Sequence, residues 1–150
     1  MRVPRPGRAP TQEEHQLELK PVSPTAKASA QAFTGDVYVN PIYRGEDPSR
    51  MIVALVRFTP GARKNWHSHA VGQTLHVTDG IGLVVTRDGA VIRMRPGDTV
   101  YTPPGEEHWH GGTTDNMMCH LAMLEGTGEG DGTTWLEPVT DDQYHAANEP

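Results

Sequence analysis

The sequence predicts an all-β domain, built as an antiparallel sandwich or barrel, and three observations support this. From Phe33 onward, short apolar or alternating runs recur at intervals of about ten residues, which is typical of such folds. Sixteen glycines and thirteen prolines supply frequent turns between these runs. No amphipathic helical pattern of any length interrupts them. With 150 residues, the chain has the size of a single domain with one core.

Residues 1–32 differ in composition from the rest of the chain. They combine Pro, Arg, Glu and Gln with small residues, and their few apolar side chains bury too little surface to offset conformational entropy. We therefore predict a disordered or loosely packed N-terminal arm over 1–32, followed by the barrel over 33–145. A short helix beginning near Thr11 and stopped by Pro21 is the alternative within the arm.

The strands of the barrel are predicted in order from their turn residues. The run 51–58 is apolar on both faces until Arg57, so this strand packs against another sheet or another subunit. The pair Asp79-Gly80 predicts a hairpin that joins the strand 73–78 to the strand 81–86. A C-terminal helix is predicted over 141–147, with Thr140 as its N-cap. The remaining predicted strands are 36–39, 91–95, 99–102, 108–110, 117–124 and 134–139.

Composition and charge exclude several classes of partner. Thirteen Lys and Arg against nineteen Asp and Glu leave a formal charge of −6, whereas a nucleic-acid-binding protein needs a concentrated positive face. A mean hydropathy of −0.57 and the lack of a long apolar run predict no membrane partner. One cysteine, Cys119, and a basic N-terminus without an apolar run after it predict a cytoplasmic protein.

Three of the eight histidines stand at spacings typical of a metal site. His67 and His69 point to the same face of an extended segment, because side chains alternate along a strand. Gln73 follows after a turn, and His108 comes directly after another turn. Imidazole is a favoured ligand of divalent transition metals, and an amide oxygen is a weaker, neutral one. We predict one divalent ion held by His67, His69, Gln73 and His108, with two octahedral positions left for water or substrate.

Two motifs contain these residues. The first consists of Gly61, His67, His69, Gln73 and Gly80, and the second of Gly97, Pro103, Gly105 and His108. In this order and spacing they resemble the two motifs of the cupin superfamily, with Gln73 where Glu is usual and Gly112 where Asn is usual. The resemblance covers 61–112. It implies a single-domain cupin, a double-stranded β-helix or jelly-roll barrel that binds one metal inside.

Further stretches resemble the bacterial cupin-type hydroxynitrile lyases over about 33–144. These stretches are Trp66-His-Ser-His69, Gly72-Gln-Thr-Leu75, Pro96-Gly-Asp98, Pro104-Gly-Glu106, His108-Trp-His-Gly111, and Trp135 with 139–144. In that family three His and a Gln hold manganese, and cyanohydrins such as mandelonitrile are cleaved to an aldehyde and hydrogen cyanide. The resemblance implies Mn²⁺, with Fe²⁺, Zn²⁺ or Ni²⁺ as alternatives, and a small carbonyl or cyanohydrin-like substrate.

His110 and His120 are the candidate catalytic residues. His110 shares strand parity with His108 and is expected to face the interior, whereas either parity is open for His120. An imidazole with an ordinary pKa of ~6.5 exchanges protons at neutral pH. The resemblance implies that both lie in the pocket, and the alternative role for each is to orient a metal ligand. Lys64 is predicted to be a solvated surface lysine, and the alternative is that its side chain reaches the pocket mouth.

The sequence leaves four functions open. The first is a metal-dependent carbon–carbon lyase of the hydroxynitrile lyase type, with the metal as Lewis acid and pocket histidines as acid and base. The alternatives are a metal-dependent oxygenase, a cyclase or isomerase acting on polyketide-like compounds, and a non-catalytic metal-binding sensor. Because the run 51–58 is apolar on both faces, we also predict a homodimer or homotetramer.

Overall fold

The computed structural model describes residues 17–150 and folds them into two antiparallel sheets, which confirms the predicted all-β barrel. In chain order the strands are β1 (Ala26–Lys27), β2 (Phe33–Thr34), β3 (Val37–Arg44), β4 (Met51–Phe58), β5 (Arg63–Lys64), β6 (His67–His69), β7 (Gln73–Gly80), β8 (Gly82–Thr86), β9 (Val91–Met94), β10 (Thr99–Thr102), β11 (His108–Gly112), β12 (Met118–Glu125) and β13 (Thr133–Trp135). Helix α1 (Asp141–Asn148) follows.

The first sheet has the strand order β1-β3-β4-β12-β7-β10. Strand β4 has the bounds that its apolar run predicted, and it pairs with β3 and β12 over its whole length. On the inward face, Val56 and Phe58 of β4 pack with Met118 and Ala122 of β12 in a buried core. The two-faced apolar pattern of β4 therefore reflects its central position, with one side turned to the core.

The second sheet is organised around β11. Strands β5 and β6 both pair with β11, and β8 also pairs with it and continues to β9. Strand β2 pairs with β5, and β13 pairs with β6. The strands that carry the motif histidines, β6 and β11, are thus direct neighbours in this sheet, whereas Gln73 and Gly80 of the first motif lie on β7 of the other sheet.

The predicted hairpin at Asp79-Gly80 is wrong. Strand β7 pairs with β12 and β10, while β8 pairs with β11 and β9, so the chain crosses here from one sheet to the other. Gly80 has a φ of +76°, and a side chain at this position would overlap the backbone carbonyl of Met117. A glycine is needed here for the close approach to Met117 and for the left-handed conformation. The same residue type is expected in a hairpin turn, so the sequence alone does not distinguish the two connections.

Strand β3 extends past the predicted end at residue 39 as far as Arg44. The extension contains Pro41, where the register against β4 shifts. Beyond Val39, β1 no longer pairs with β3. On this side of β3, the backbone N–H groups of the following residues therefore have no strand to which they must donate. A proline is tolerated on such an edge, although its presence argued against a strand from sequence alone.

The predicted N-terminal arm, residues 1–32, lies partly outside the described residues, and so does the start of its alternative helix near Thr11. Within the described part, Leu17 and Leu19 are almost fully exposed. Further on, β1 adds to the edge of the first sheet, and the Asn40 side-chain amide donates to the Thr25 hydroxyl at 2.7 Å. The end of the arm therefore lies along β3.

Helix α1 packs on the outside of the second sheet. It has the predicted N-cap, Thr140, in a complete capping box with Gln143. Tyr144 is buried, and its hydroxyl donates to the carbonyl oxygen of Gly112 at 2.7 Å. The guanidinium of Arg63 lies 4.5 Å from the Tyr144 ring centroid and donates to Asp141 at 2.8 Å. In the described part of the chain, no helix is both long and apolar enough to cross a membrane.

Replacing Tyr144 with phenylalanine is expected to lower the free energy of unfolding by about 1–2 kcal/mol, because the buried carbonyl of Gly112 loses its donor. Urea unfolding followed by tryptophan fluorescence measures the change. Tyr101→Phe is the matched control, since Tyr101 is 62% exposed. Equal stability of the two variants would show that this hydrogen bond does not hold the helix.

Candidate metal centre

Three histidines from the two motifs converge inside the barrel. His67 and His69 lie on β6, and His108 is directly opposite His67 on β11. The ring centroid of His67 is 4.3 Å from that of His108 and 5.0 Å from that of His69, and the remaining pair is separated by 5.5 Å. All three side chains are buried. Two segments distant in sequence therefore bring their imidazoles to one place.

One ring nitrogen of each histidine is anchored and the other is not. The Nδ1 partners are the carbonyl oxygen of Asn65 at 2.8 Å for His67, the carbonyl oxygen of Glu106 at 2.9 Å for His108, and the hydroxyl of Thr133 at 3.0 Å for His69. A carbonyl only accepts, so the Nδ1 atoms of His67 and His108 carry the proton. All three Nε2 atoms are buried and have no hydrogen-bond partner in the described structure. Their lone pairs remain available to an ion.

The side chain of Gln73, the fourth predicted ligand, lies beside that of His69. Gln73 is the first residue of β7 and is buried, and its Oε1 lacks a hydrogen-bond partner within the described residues. The preceding Gly72 has a φ of +81°, and an added Cβ would lie 2.8 Å from the carbonyl oxygen of Thr102. Glycine at this turn therefore allows β7 to start where Gln73 faces inward.

The candidate ligand atoms of His67, His108 and His110 all lie within 4.8 Å of one another. The group of described residues that meets this close spacing contains His110, and the predicted ligand His69 is not part of it. Metal-binding histidines usually fix their second nitrogen on a carbonyl, a carboxylate or water, which orients the ring. His67 and His108 have such anchors on carbonyl oxygens and His69 has one on a hydroxyl, whereas His110 contacts another imidazole. The anchoring pattern favours His69 as the third ligand.

Burial makes these histidines poor bases. It lowers the pKa of His69 and of His108 to about 4, and that of His67 well below its ordinary value. Positive charge on neighbouring groups, Lys64 among them, adds to the effect. At neutral pH the rings are uncharged, which is the form that binds a metal ion.

His110 and His120 form a buried pair beside the three candidate ligands. The Nε2 of His120 is 3.0 Å from the Nδ1 of His110, and both rings pack against Phe58 with centroids at 5.4 Å and 5.7 Å. Burial lowers the pKa of His120 to about 3 and that of His110 well below its ordinary value. Two neutral imidazoles at this distance share one proton between them. His110 faces the interior, as its parity predicted, and His120 does as well.

Lys64 is not the solvated surface residue that the sequence predicted, since it is only 7% exposed. Its ammonium lies 5.5 Å from the ring centroid of Phe33 and 5.8 Å from that of Trp135. Burial lowers its pKa to about 8. The two-residue strand β5 is too short to show an alternating pattern, so no periodicity indicates which face Lys64 occupies.

A cleft of about 310 Å³ opens beside Gln73. Its walls include Met51, Val71, Tyr101 and Leu124. Gln73 is the residue that this cleft shares with the predicted ligand set, and none of the buried histidines lines the cleft.

The fold and the buried histidines define a β-barrel protein with an internal site at which three of them, His67, His108 and His110, could hold a metal ion. A family model described as a cupin domain matches residues 54–125. The chain is 45% identical over 130 residues to a protein of Granulicella tundricola named (R)-mandelonitrile lyase, a match that covers 85% of this chain and 98% of that protein. The chain belongs to the cupin family.

Two further comparisons extend this result. A solved cupin-like protein of Thermotoga maritima superimposes with a TM-score of 0.78 at 37% identity, over 83% of this chain and 93% of that one. An acireductone dioxygenase of Rhodopseudomonas palustris is 34% identical over 74 residues, which is 43% of this chain and 45% of that protein. Cupins similar to this chain therefore include proteins named as a lyase and as an oxygenase.

Proposed function

We propose that this protein is a metal-dependent lyase that cleaves cyanohydrins such as mandelonitrile to an aldehyde and hydrogen cyanide. The observation that carries the proposal is the convergence of the rings of His67, His69 and His108, each with a buried Nε2 that has no hydrogen-bond partner among the described residues. The similarity to the (R)-mandelonitrile lyase, which spans nearly all of that relative, supports the choice of reaction.

In this proposal His67, His69 and His108 bind the metal through Nε2, and Gln73 binds it through Oε1. Mn²⁺ is the metal we propose, and Fe²⁺, Zn²⁺ and Ni²⁺ are the alternatives for three nitrogens and one oxygen. A bound divalent ion polarises the substrate oxygen as a Lewis acid. All four donors are neutral, so the protein leaves the full positive charge of the ion to act on the substrate. Three imidazole nitrogens and one amide oxygen are therefore a suitable set of ligands for a divalent metal ion.

In this proposal the His110–His120 pair accepts and returns the proton. Burial lowers both pKa values, so the pair is uncharged and free to accept, and a metal ion bound to the hydroxyl oxygen of the cyanohydrin would make that proton acidic enough to transfer. One imidazole takes the proton of the cyanohydrin hydroxyl while the bond between the carbinol carbon and the nitrile carbon breaks. The electron pair of that carbon–carbon bond leaves with cyanide, and the hydroxyl oxygen becomes the carbonyl oxygen of the aldehyde. The histidine pair then transfers the proton to cyanide, which gives hydrogen cyanide. The 3.0 Å contact between the two rings allows the proton to move from one to the other.

An anaerobic assay tests the proposal. The purified protein, loaded with Mn²⁺, is mixed with mandelonitrile under nitrogen, and benzaldehyde release is followed by absorbance. We expect turnover without oxygen and its loss after the metal is removed with a chelator. Turnover that requires oxygen would instead identify an oxygenase, the second candidate, which the partial similarity to an acireductone dioxygenase favours. A protein that binds metal without any turnover would contradict both.

We also propose that the protein is a cytoplasmic homodimer that assembles through the outer face of the first sheet. Directly paired residues of a sheet point to the same face, so Val53, Met123 and Tyr101 lie in one outward row, bridged by Thr74. Leu55 and Leu121 form the adjacent outward pair, and none of these side chains is fully buried. Exposed apolar patches of this kind on a sheet mark interaction surfaces.

The variant Met123→Glu is expected to convert the dimer into a monomer, because it places a charge in the centre of that face. Light scattering coupled to size-exclusion chromatography measures the mass. Ile92→Glu is the control, as Ile92 is 50% exposed on β9 of the other sheet. A monomeric wild-type protein would refute this assembly.

A further inference from the structure

The interior of the barrel contains cationic and neutral groups but no carboxylate. Among the described residues, Arg63 and Lys64 are the buried charged side chains, and no Asp or Glu is buried. Arg63 is neutralised by Asp141 at 2.8 Å beside helix α1. Lys64 has no such partner, since none of the ion pairs of the described structure includes it. Lys64 therefore carries a buried charge that forms no ion pair in the described structure, and the exposed carboxylate of Asp131 acts on it only without direct contact.

The ammonium of Lys64 lies on the side of the sheet that holds the histidines. It sits between the rings of Phe33 and Trp135, and the Trp135 ring is itself 5.1 Å from that of His67. Its charge contributes to the lowered pKa of all five buried histidines. Aromatic faces compensate a buried ammonium only in part, so the group lacks an anionic partner.

We propose that the ammonium of Lys64 binds a small monoanion in the barrel, between the Phe33 and Trp135 rings and the candidate metal centre. The inference rests on the proposed function, in which that anion is the cyanide released from the substrate. A cyanide leaving group carries the electron pair of the broken carbon–carbon bond until it is protonated. A fixed cation close to the reaction stabilises this charge, and no carboxylate of the described residues is buried beside it or forms an ion pair with it.

Azide, a small linear monoanion that resists protonation at neutral pH, is the probe. Calorimetric titration of the Mn²⁺-loaded protein with sodium azide gives the affinity, and elemental analysis gives the metal content of each sample. Lys64→Met is expected to weaken azide binding by about ten-fold or more, whereas Lys64→Arg retains it to within a few-fold. Lys27→Met is the control, because Lys27 is exposed and paired with Asp36. Unchanged azide affinity in metal-loaded Lys64→Met would overturn the inference.

A second measurement uses only the wild-type protein, so it does not depend on how a variant folds. The metal-loaded protein is reductively methylated with formaldehyde and dimethylamine–borane, and peptide mass spectrometry follows each lysine. Azide is expected to slow the modification of Lys64 and to leave that of Lys27 unchanged. Equal rates for Lys64 with and without azide would overturn the inference.

These readouts separate the anion site from the proposed reaction. If mandelonitrile is cleaved but azide binding does not depend on Lys64, the inference is wrong and the lyase function is retained. If azide binding depends on Lys64 in a protein that does not cleave mandelonitrile, the anion site is retained and the proposed reaction is wrong.

Discussion

His108→Ala is expected to abolish tight metal binding and, with it, cyanohydrin cleavage. The ring centroid of His108 lies 4.3 Å from that of His67 and 5.5 Å from that of His69, its Nε2 is buried without a partner in the described structure, and its Nδ1 is fixed on the carbonyl oxygen of Glu106. Its loss removes a nitrogen donor and leaves space where the ring was. Elemental analysis of protein dialysed against a metal buffer measures occupancy, and benzaldehyde release measures turnover.

Two further variants make this result specific. Thr133→Val removes the hydroxyl that anchors Nδ1 of His69, and such outer partners typically contribute about 10–100-fold to metal affinity. We expect this smaller loss for Thr133→Val and a larger one for His108→Ala. His76→Ala, on the outward face of β7, is expected to bind metal normally. Full metal occupancy in His108→Ala would contradict the proposed ligand set.

His120→Phe is expected to lower kcat by about 10²–10⁴-fold while the metal content stays at the wild-type level. The phenylalanine ring fills the volume of the imidazole beside Phe58, but it has no nitrogen that could bind a proton. It therefore cannot form the hydrogen bond that His120 makes with Nδ1 of His110. Turnover of mandelonitrile and elemental analysis are measured on the same samples, which separates loss of proton transfer from loss of metal.

Cys119→Ala is the matched control for this variant, because Cys119 is the neighbouring buried residue of β12 and is expected to face away from the histidine pair. Its kcat should remain near that of the wild-type protein. If His120→Phe retained kcat within a factor of about two, His120 would have a packing role and proton transfer would have to occur elsewhere.

Much of the fold could be predicted because its signals are local. The bounds of β4 follow from an uninterrupted apolar run, and the N-cap of α1 follows from a hydroxyl residue ahead of two acids. The convergence of His67, His69 and His108 was predictable for a related reason. Side chains alternate along a strand, so His67 and His69 must lie on the same face of β6. The third ring, that of His108, was predicted from its position in the second motif.

Other features depended on tertiary contacts that no short pattern encodes. Asp79-Gly80 indicates a turn, but whether the chain folds back or crosses to the other sheet depends on which strands pair with β7 and β8. Lys64 looks polar in the sequence, and its burial follows from the position of Phe33 and Trp135, which are far from it along the chain. The contact of His120 with His110 depends in the same way on β12 pairing with both β4 and β7.

The attachment of Tyr144 to Gly112 gives the last helix an influence on the chemistry of the interior. Gly112 is the last residue of β11, and His108 is the first. The carbonyl oxygen that accepts the hydrogen bond from Tyr144 and the imidazole of His108 therefore belong to the same short strand. Deleting the C-terminal helix, or displacing it with a fused tag, would remove the hydrogen bond that Tyr144 makes to the end of β11. Expression designs that keep residues 140–148 unencumbered therefore preserve the alignment of the rings as well as the fold.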